Sequence, residues 1–121
     1  MTTPPLDPLS LLREKIDEFV RDRDWAKFHS PKNLTMALTV EAAELMEVFQ
    51  WMDGRDGMET LSEKQRQAVE HEVADVFIYL LRFCSVTGID PLAAAEKKLR
   101  HNAEKYPVEL VRGKSEKYTE Y

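Results

Sequence analysis

Apolar residues recur at helical spacing along most of this chain. Leu9, Leu12, Ile16, Phe19 and Val20 fall on one face, and Asp7-Pro8 ahead of them is an N-cap followed by proline at the first helical position. A second stripe, Leu34, Leu38, Leu45, Val48, Phe49 and Met52, predicts a helix from about Lys32 to Met52 after Pro31. Asp53 to Leu61 carries Asp53-Gly54 and Gly57 and reads as a loop. Ser62 with Gln65 three residues on is a capping-box pattern, and Gly88 is the matching C-terminal signal. Between them Val69, Val73, Val76, Leu80 and Phe83 make the apolar face of a third helix. Asp90-Pro91 opens a fourth, which runs to about Lys105 and stops at Tyr106-Pro107. Residues 1–6 and about 107–121 show no period and are expected to be extended or flexible. No run of β-branched or aromatic residues alternates with polar ones, so strands are not expected.

Four helices joined by loops predict an all-α fold, a four-helix, bundle-like antiparallel arrangement in one domain spanning 1–121. The third helix, about 26 residues or roughly 39 Å long, is long for a chain of 121 residues. Helices of that length in so small a chain often meet a partner copy, so an oligomer is expected. Hydrophobic residues at 43% and charged residues at 32% fit an ordered protein rather than a disordered one. The lone cysteine, Cys84, excludes a disulfide within the chain and a cysteine-rich zinc site; it reads as a small core residue. The first residues show neither the basic start nor the apolar run of a signal peptide. No apolar stretch approaches the roughly 20 residues of a membrane span. The expectation is a cytoplasmic protein that does not engage a membrane.

The net charge of −5 disfavours a nucleic-acid polymer as partner, but it hides an asymmetry. From Glu41 to Asp75 ten acidic residues meet three basic ones, a net of −7; from Glu96 to Tyr121 seven basic residues meet five acidic ones, a net of +2. The acidic segment matters because some of its charges interrupt apolar stripes. Glu41 falls between Leu38 and Leu45, with Glu44 three residues on and pointing the same way. Glu72 and Asp75 repeat that spacing between Val69 and Val76. One such pair is ordinarily a solvated face. Two pairs on interrupted stripes of adjacent helices make an oxygen-rich cage, since a buried carboxylate without a partner neutralises or binds a cation. Oxygen ligands without His or Cys suit Mg²⁺, Mn²⁺ or Ca²⁺. A di-iron site would need Glu-x-x-His pairs, which are missing: His71 precedes Glu72 and is expected to point elsewhere.

Trp25 and Trp51 stand at helix ends or in adjoining loops, where a ring can stack on a ligand. Tyr79 lies one turn beyond Asp75, Lys98 and Asn102 are one turn apart on the fourth helix, and Arg112, Lys114 and Lys117 form a basic tail. Taken singly, each of these is more often a core or solvated residue. His29 and His101 show no further pattern. Neither a P-loop nor a Gly-x-Gly-x-x-Gly turn occurs, so any phosphate must be held by metal and by Lys or Arg.

Glu41-x-x-Glu44, 27 residues, then Glu72-x-x-Asp75 resembles the metal motif of the MazG-type, all-α NTP pyrophosphatases. The flanking residues are more specific. Arg23-Asp24-Trp25, Phe28-His29, Pro31-Lys32-Asn33-Leu34, Phe49-Gln50-Trp51, Ile78-Tyr79-Leu80, Asn102, Tyr106-Pro107 and Lys117-Tyr118-Thr119-Glu120 resemble the dCTP pyrophosphatase branch over roughly residues 9–120. The resemblance implies Mg²⁺-dependent hydrolysis of a deoxynucleoside triphosphate to the monophosphate and pyrophosphate, in the service of nucleotide-pool sanitation. It implies Glu41, Glu44, Glu72 and Asp75 as metal ligands and catalytic groups, with Glu41 or Glu44 as general base. Trp25, Trp51 and Tyr79 would line the base and sugar pocket. Lys98, Asn102 and Tyr106 would contact the nucleotide, with Arg112 and Lys117 near the phosphates. The implied assembly is a homotetramer, a dimer of dimers with sites between subunits. Animal enzymes of this branch carry a histidine on the first helix where this chain has Ile16, which leaves the choice among dCTP, its 5-modified forms and other dNTPs open. Two other readings stay open: a non-catalytic helical module that senses nucleotides or pairs with a partner helix, and a dUTPase-like or phosphoribosyl-ATP pyrophosphatase relative.

Overall fold

A computed structural model of the protein describes residues 5–115. Its helices are α1 (Pro8–Asp22), α2 (Pro31–Phe49), α3 (Glu63–Thr87), α4 (Pro91–Lys105) and α5 (Val108–Val111), with 3₁₀ turns at Ala26–Phe28 and Met58–Thr60 and no strand among the described residues. The helix starts follow from side-chain chemistry. Asp7, Ser30 and Asp90 each accept a backbone N–H of the first turn, and each is followed by proline, whose missing N–H costs nothing at that position. Ser62 closes the expected capping box: its Oγ accepts the Gln65 N–H at 3.2 Å while the Gln65 side chain accepts the Ser62 N–H at 2.9 Å. Gly88 ends α3 in the left-handed conformation, φ 74°.

The chain divides at Gly88 into two compact units. In the first, α2 packs along α3, and α1 lies against the C-terminal half of α3, where Arg13 donates to Ser85 Oγ at 3.4 Å and Arg82 to Asp17 at 2.8 Å. The second holds α4 and the single turn α5. That turn occupies residues where the sequence shows no period, because four residues are too few to show one. Likewise α2 stops at Phe49 rather than Met52, its last carbonyls closing tight turns into the Asp53-Gly54 loop.

Six apolar side chains among the described residues are buried: Ile16, Val20, Leu34, Leu61, Leu81 and Cys84. Cys84 is thus the core residue that its apolar setting implied. The stripes are only partly covered, however. Phe19, Val73 and Leu80, expected on buried faces, are exposed, and so are Met36, Val40 and Phe77. The middle of α3 carries apolar residues nearly all round, from Val73 to Leu81, whereas α1 and α2 cover only part of its circumference. A helix apolar on all sides belongs in an interior.

Candidate active site

Packing α2 on α3 brings the two acidic pairs together. One carboxylate oxygen from each of Glu41, Glu72 and Asp75 lies within 4.8 Å of the others. The Glu41 and Glu72 Oε2 atoms are buried and have no hydrogen-bond donor. Two ionised carboxylates offer only acceptors and cannot satisfy each other, so a proton shared between them or a cation beside them is favoured. Accordingly, Glu41 has its pKa pushed up to about 7 from the ordinary 4.5. The hydrogen bond to Glu72, which requires the proton on Glu41, is the largest cause, followed by desolvation and by the hydrogen bond and charge of Glu44. Glu44 itself is exposed, one turn along the same face and outside the three-oxygen group. The donor set is oxygen only and partly dry, which fits a hard divalent cation such as Mg²⁺. His71 is exposed, yet its Nε2 stands 4.0 Å from Asp75 Oδ2, so it faces this carboxylate more closely than its sequence position suggested.

The raised Glu41 pKa has a sign for stability. The folded state prefers the protonated form, so its contribution is fully present below the ordinary value of 4.5 and is lost as pH rises through about 7. Metal-free protein is therefore expected to lose a few degrees of Tm between about pH 5 and 7. Millimolar Mg²⁺, binding the carboxylates in ionised form, should restore it. Differential scanning fluorimetry with EDTA and with Mg²⁺ checks this; a Tm flat over that range in EDTA would contradict it.

Beside the cluster lies a cavity of about 350 Å³, lined by Phe19, Trp25 and Tyr79 with Ile16, His29 and Arg82, and reaching Asp75. The connection after α1 aims the indole. Asp24 takes a left-handed φ of 54°, the only positive φ at a non-glycine residue among those described, and turns the chain so that the Trp25 N–H bonds to the Val20 carbonyl at 3.1 Å. The Trp25 ring then meets Phe19 edge to face, centroids 5.8 Å apart at 73°, and the Arg23 guanidinium sits 3.6 Å from the centroid of Phe19. Ile16 is buried in this wall, at the position where the resemblance had marked a departure.

The structure thus gathers Glu41, Glu72, Asp75, Trp25 and Tyr79 in one region, with Glu44 at its edge. Trp51 is not in this wall; it stands in the loop after α2 and is 89% exposed. Lys98 and Asn102 lie on α4, Tyr106 at its C-terminal cap and Arg112 after α5, all in the second unit. Lys117 falls outside the described residues. Sequence reasoning missed Phe19, His29 and Arg82 as cavity residues. Phe19 was visible only as a stripe member. His29 and Arg82 are 53 positions apart, a separation at which no local pattern speaks.

The MazG-like family matches residues 36–121. The dCTP pyrophosphatase 1 of Homo sapiens is 40% identical over 117 residues, covering 96% of this chain and 69% of the human protein. That of Rattus norvegicus is 39% identical over the same shares. A crystal structure of a pyrophosphatase from Archaeoglobus fulgidus superposes with a TM-score of 0.80 at 38% identity, covering 88% of this chain and 99% of that one. By sequence over most of its length and by fold, the chain belongs to the MazG-like family.

Proposed function

We propose that this chain hydrolyses dCTP or a 5-modified dCTP to the monophosphate and pyrophosphate with the help of Mg²⁺, and serves nucleotide-pool sanitation. The observation that carries the proposal is Asp75. It belongs both to the carboxylate cluster and to the wall of the aromatic cavity, so a base between Trp25 and Tyr79 has its phosphates directed at the acidic residues. A triphosphate cannot approach three carboxylates unaided. Mg²⁺, when bound, offsets that charge and polarises a phosphoryl oxygen.

The remaining roles belong to the chain. Glu41, Glu44, Glu72 and Asp75 hold the ion, Glu44 from the exposed edge of the three-oxygen group. Glu41 or Glu44 takes a proton from the attacking water. The water oxygen bonds to phosphorus, the P–O bond between monophosphate and pyrophosphate breaks, and pyrophosphate leaves with the electron pair. Trp25 and Tyr79 supply the base pocket. On chemistry alone, Trp51 is a further base contact, and Lys98, Asn102, Tyr106, Arg112 and Lys117 are nucleotide and phosphate contacts.

The proposed assembly is a homotetramer, a dimer of dimers with sites completed between subunits, in the cytoplasm. Its support is the bare indole of Trp51 and the exposed apolar faces of α2 and α3. No single described helix is long and apolar enough to cross a membrane.

Pyrophosphate release from dCTP, 5-methyl-dCTP, dUTP, dTTP, dATP and dGTP, with Mg²⁺ and after EDTA, tests the proposal. Preferred turnover of a cytosine nucleotide, abolished by EDTA, is expected. Faster turnover of dUTP would make the chain a dUTPase-like relative. Nucleotide binding without turnover of any dNTP would make it a sensing module, and either result overturns the proposal.

A further inference from the structure

The wall of the cavity carries an imidazole that the proposed chemistry has not used. His29 follows the 3₁₀ turn Ala26–Phe28 and is half-buried in the wall. Its ring nitrogens differ in surroundings. Nδ1 accepts a hydrogen bond from Arg82 Nε at 3.1 Å. Arg82 is held in turn: its Nη1 donates to Asp17 Oδ1 at 2.8 Å, and the guanidinium side chain is only 13% exposed. Asp17 comes from α1, Arg82 from α3 and His29 from the segment between α1 and α2, so three separate stretches of chain converge on one fork.

A guanidinium has donors only and keeps its charge at all working pH values. Whatever nitrogen faces its Nε–H must therefore carry a lone pair. In a neutral imidazole that places the ring proton on the other nitrogen. Protonation at Nδ1 would set two positive N–H groups against each other. Burial, and secondarily the Arg82 charge, lower the His29 pKa, which agrees with a ring that stays neutral. The other ionisable groups lining this cavity are Lys15, Asp75 and Tyr79; the Asp17 carboxylate at the fork is engaged by the guanidinium.

We infer that Arg82, anchored by Asp17, is a positioning residue that fixes the proton of His29 on Nε2, so that the ring meets a nucleotide in the cavity as a hydrogen-bond donor only. The role in substrate contact rests on the pyrophosphohydrolase reading above; the fixed tautomer does not. A donor-only ring favours an acceptor on its ligand, such as a carbonyl oxygen or ring nitrogen of a pyrimidine or an oxygen of the sugar or phosphate. It rejects a ligand that presents an N–H at that point, because two donors would then face each other unpaired.

Two measurements test the inference. The first is the long-range ¹H–¹⁵N imidazole spectrum of the labelled, nucleotide-free full chain, with His29 assigned among the three histidines by its loss in His29→Ala. A single Nε2–H tautomer at neutral pH is expected in the wild type, and a mixture of both tautomers with readier protonation in Arg82→Met. A proton on Nδ1, a wild-type mixture, or a tautomer unchanged in Arg82→Met would overturn the inference. Should Arg82→Met not fold, the wild-type spectrum and that of Asp17→Asn decide by the same criteria, a mixture being expected in the latter.

The second measurement is a double-mutant cycle on KM for dCTP. Arg82→Met should raise KM about tenfold, or about 1.4 kcal/mol, and add nothing further in a His29→Ala background. Fully additive effects would mean that Arg82 does not act through His29. A chain that turns over no dNTP fails the functional reading, while the tautomer experiment still decides the positioning role.

Discussion

Replacing Glu72 by Gln is expected to abolish nearly all turnover while leaving the fold intact or firmer. Glu72 lends one of the three converging oxygens, and its Oε2 is buried without a donor. Glutamine keeps the shape, removes the charge and brings an N–H₂ that Glu41 can accept. Metal-free protein should therefore gain stability, because the contact with Glu72 that raises the Glu41 pKa, chiefly through a hydrogen bond needing a proton on Glu41, becomes one that an ionised Glu41 can accept. The cation loses an anionic ligand, and with it much of the several kcal/mol of charge stabilisation that metal sites supply. A fall in kcat of at least about 100-fold corresponds to about 2.7 kcal/mol. Steady-state pyrophosphate release and a melting curve on the same preparation separate the two effects. Should Tm fall along with activity, Glu72 would be a structural residue, and the cluster would lose its place as the metal site.

The second large effect is expected at Trp25. Removing an indole that stacks on a base costs about 1–3 kcal/mol of binding, so Trp25→Ala should raise KM for dCTP about 5- to 150-fold. Its effect on kcat should be small, since the proposed contact of the ring is to the base rather than to the reacting phosphorus. Trp25→Phe, which keeps a π-face, should recover part of the loss. The indole is 44% exposed and packs edge to face on Phe19, so truncation should cost less stability than a core substitution would. An unchanged KM in Trp25→Ala would remove the aromatic cavity from the substrate path.

Helix starts were legible because capping is local chemistry. Asp7-Pro8, Ser62 with Gln65, and Asp90-Pro91 each act within one turn of themselves, and each appears where its spacing puts it. Glu41, Glu72 and Asp75 were legible for a different reason: each breaks an apolar stripe, and a stripe records what a neighbouring helix will meet. Val73 and Leu80 misled because periodicity shows that a face is apolar without showing which partner covers it. The 3₁₀ turn that delivers Trp25 and His29 is too short to have a period. The Asp17–Arg82–His29 fork joins residues from three separate stretches, with 65 and 53 positions between its partners. Long-range polar geometry of that kind is written in the packing of helices and nowhere in local sequence.

The thinness of the core has a consequence of its own. Six buried apolar side chains are few for the described residues 5–115, and burial is what offsets the conformational entropy of folding. Where the missing burial comes from other copies, folding and assembly become one mass-action equilibrium, and a folded monomer is not a separate species. Stability then becomes a property of the solution as well as of the molecule. For the proposed tetramer, dilution would act as a denaturant, and the nanomolar enzyme of a kinetic assay would not be the same population as the micromolar protein of a spectrometer.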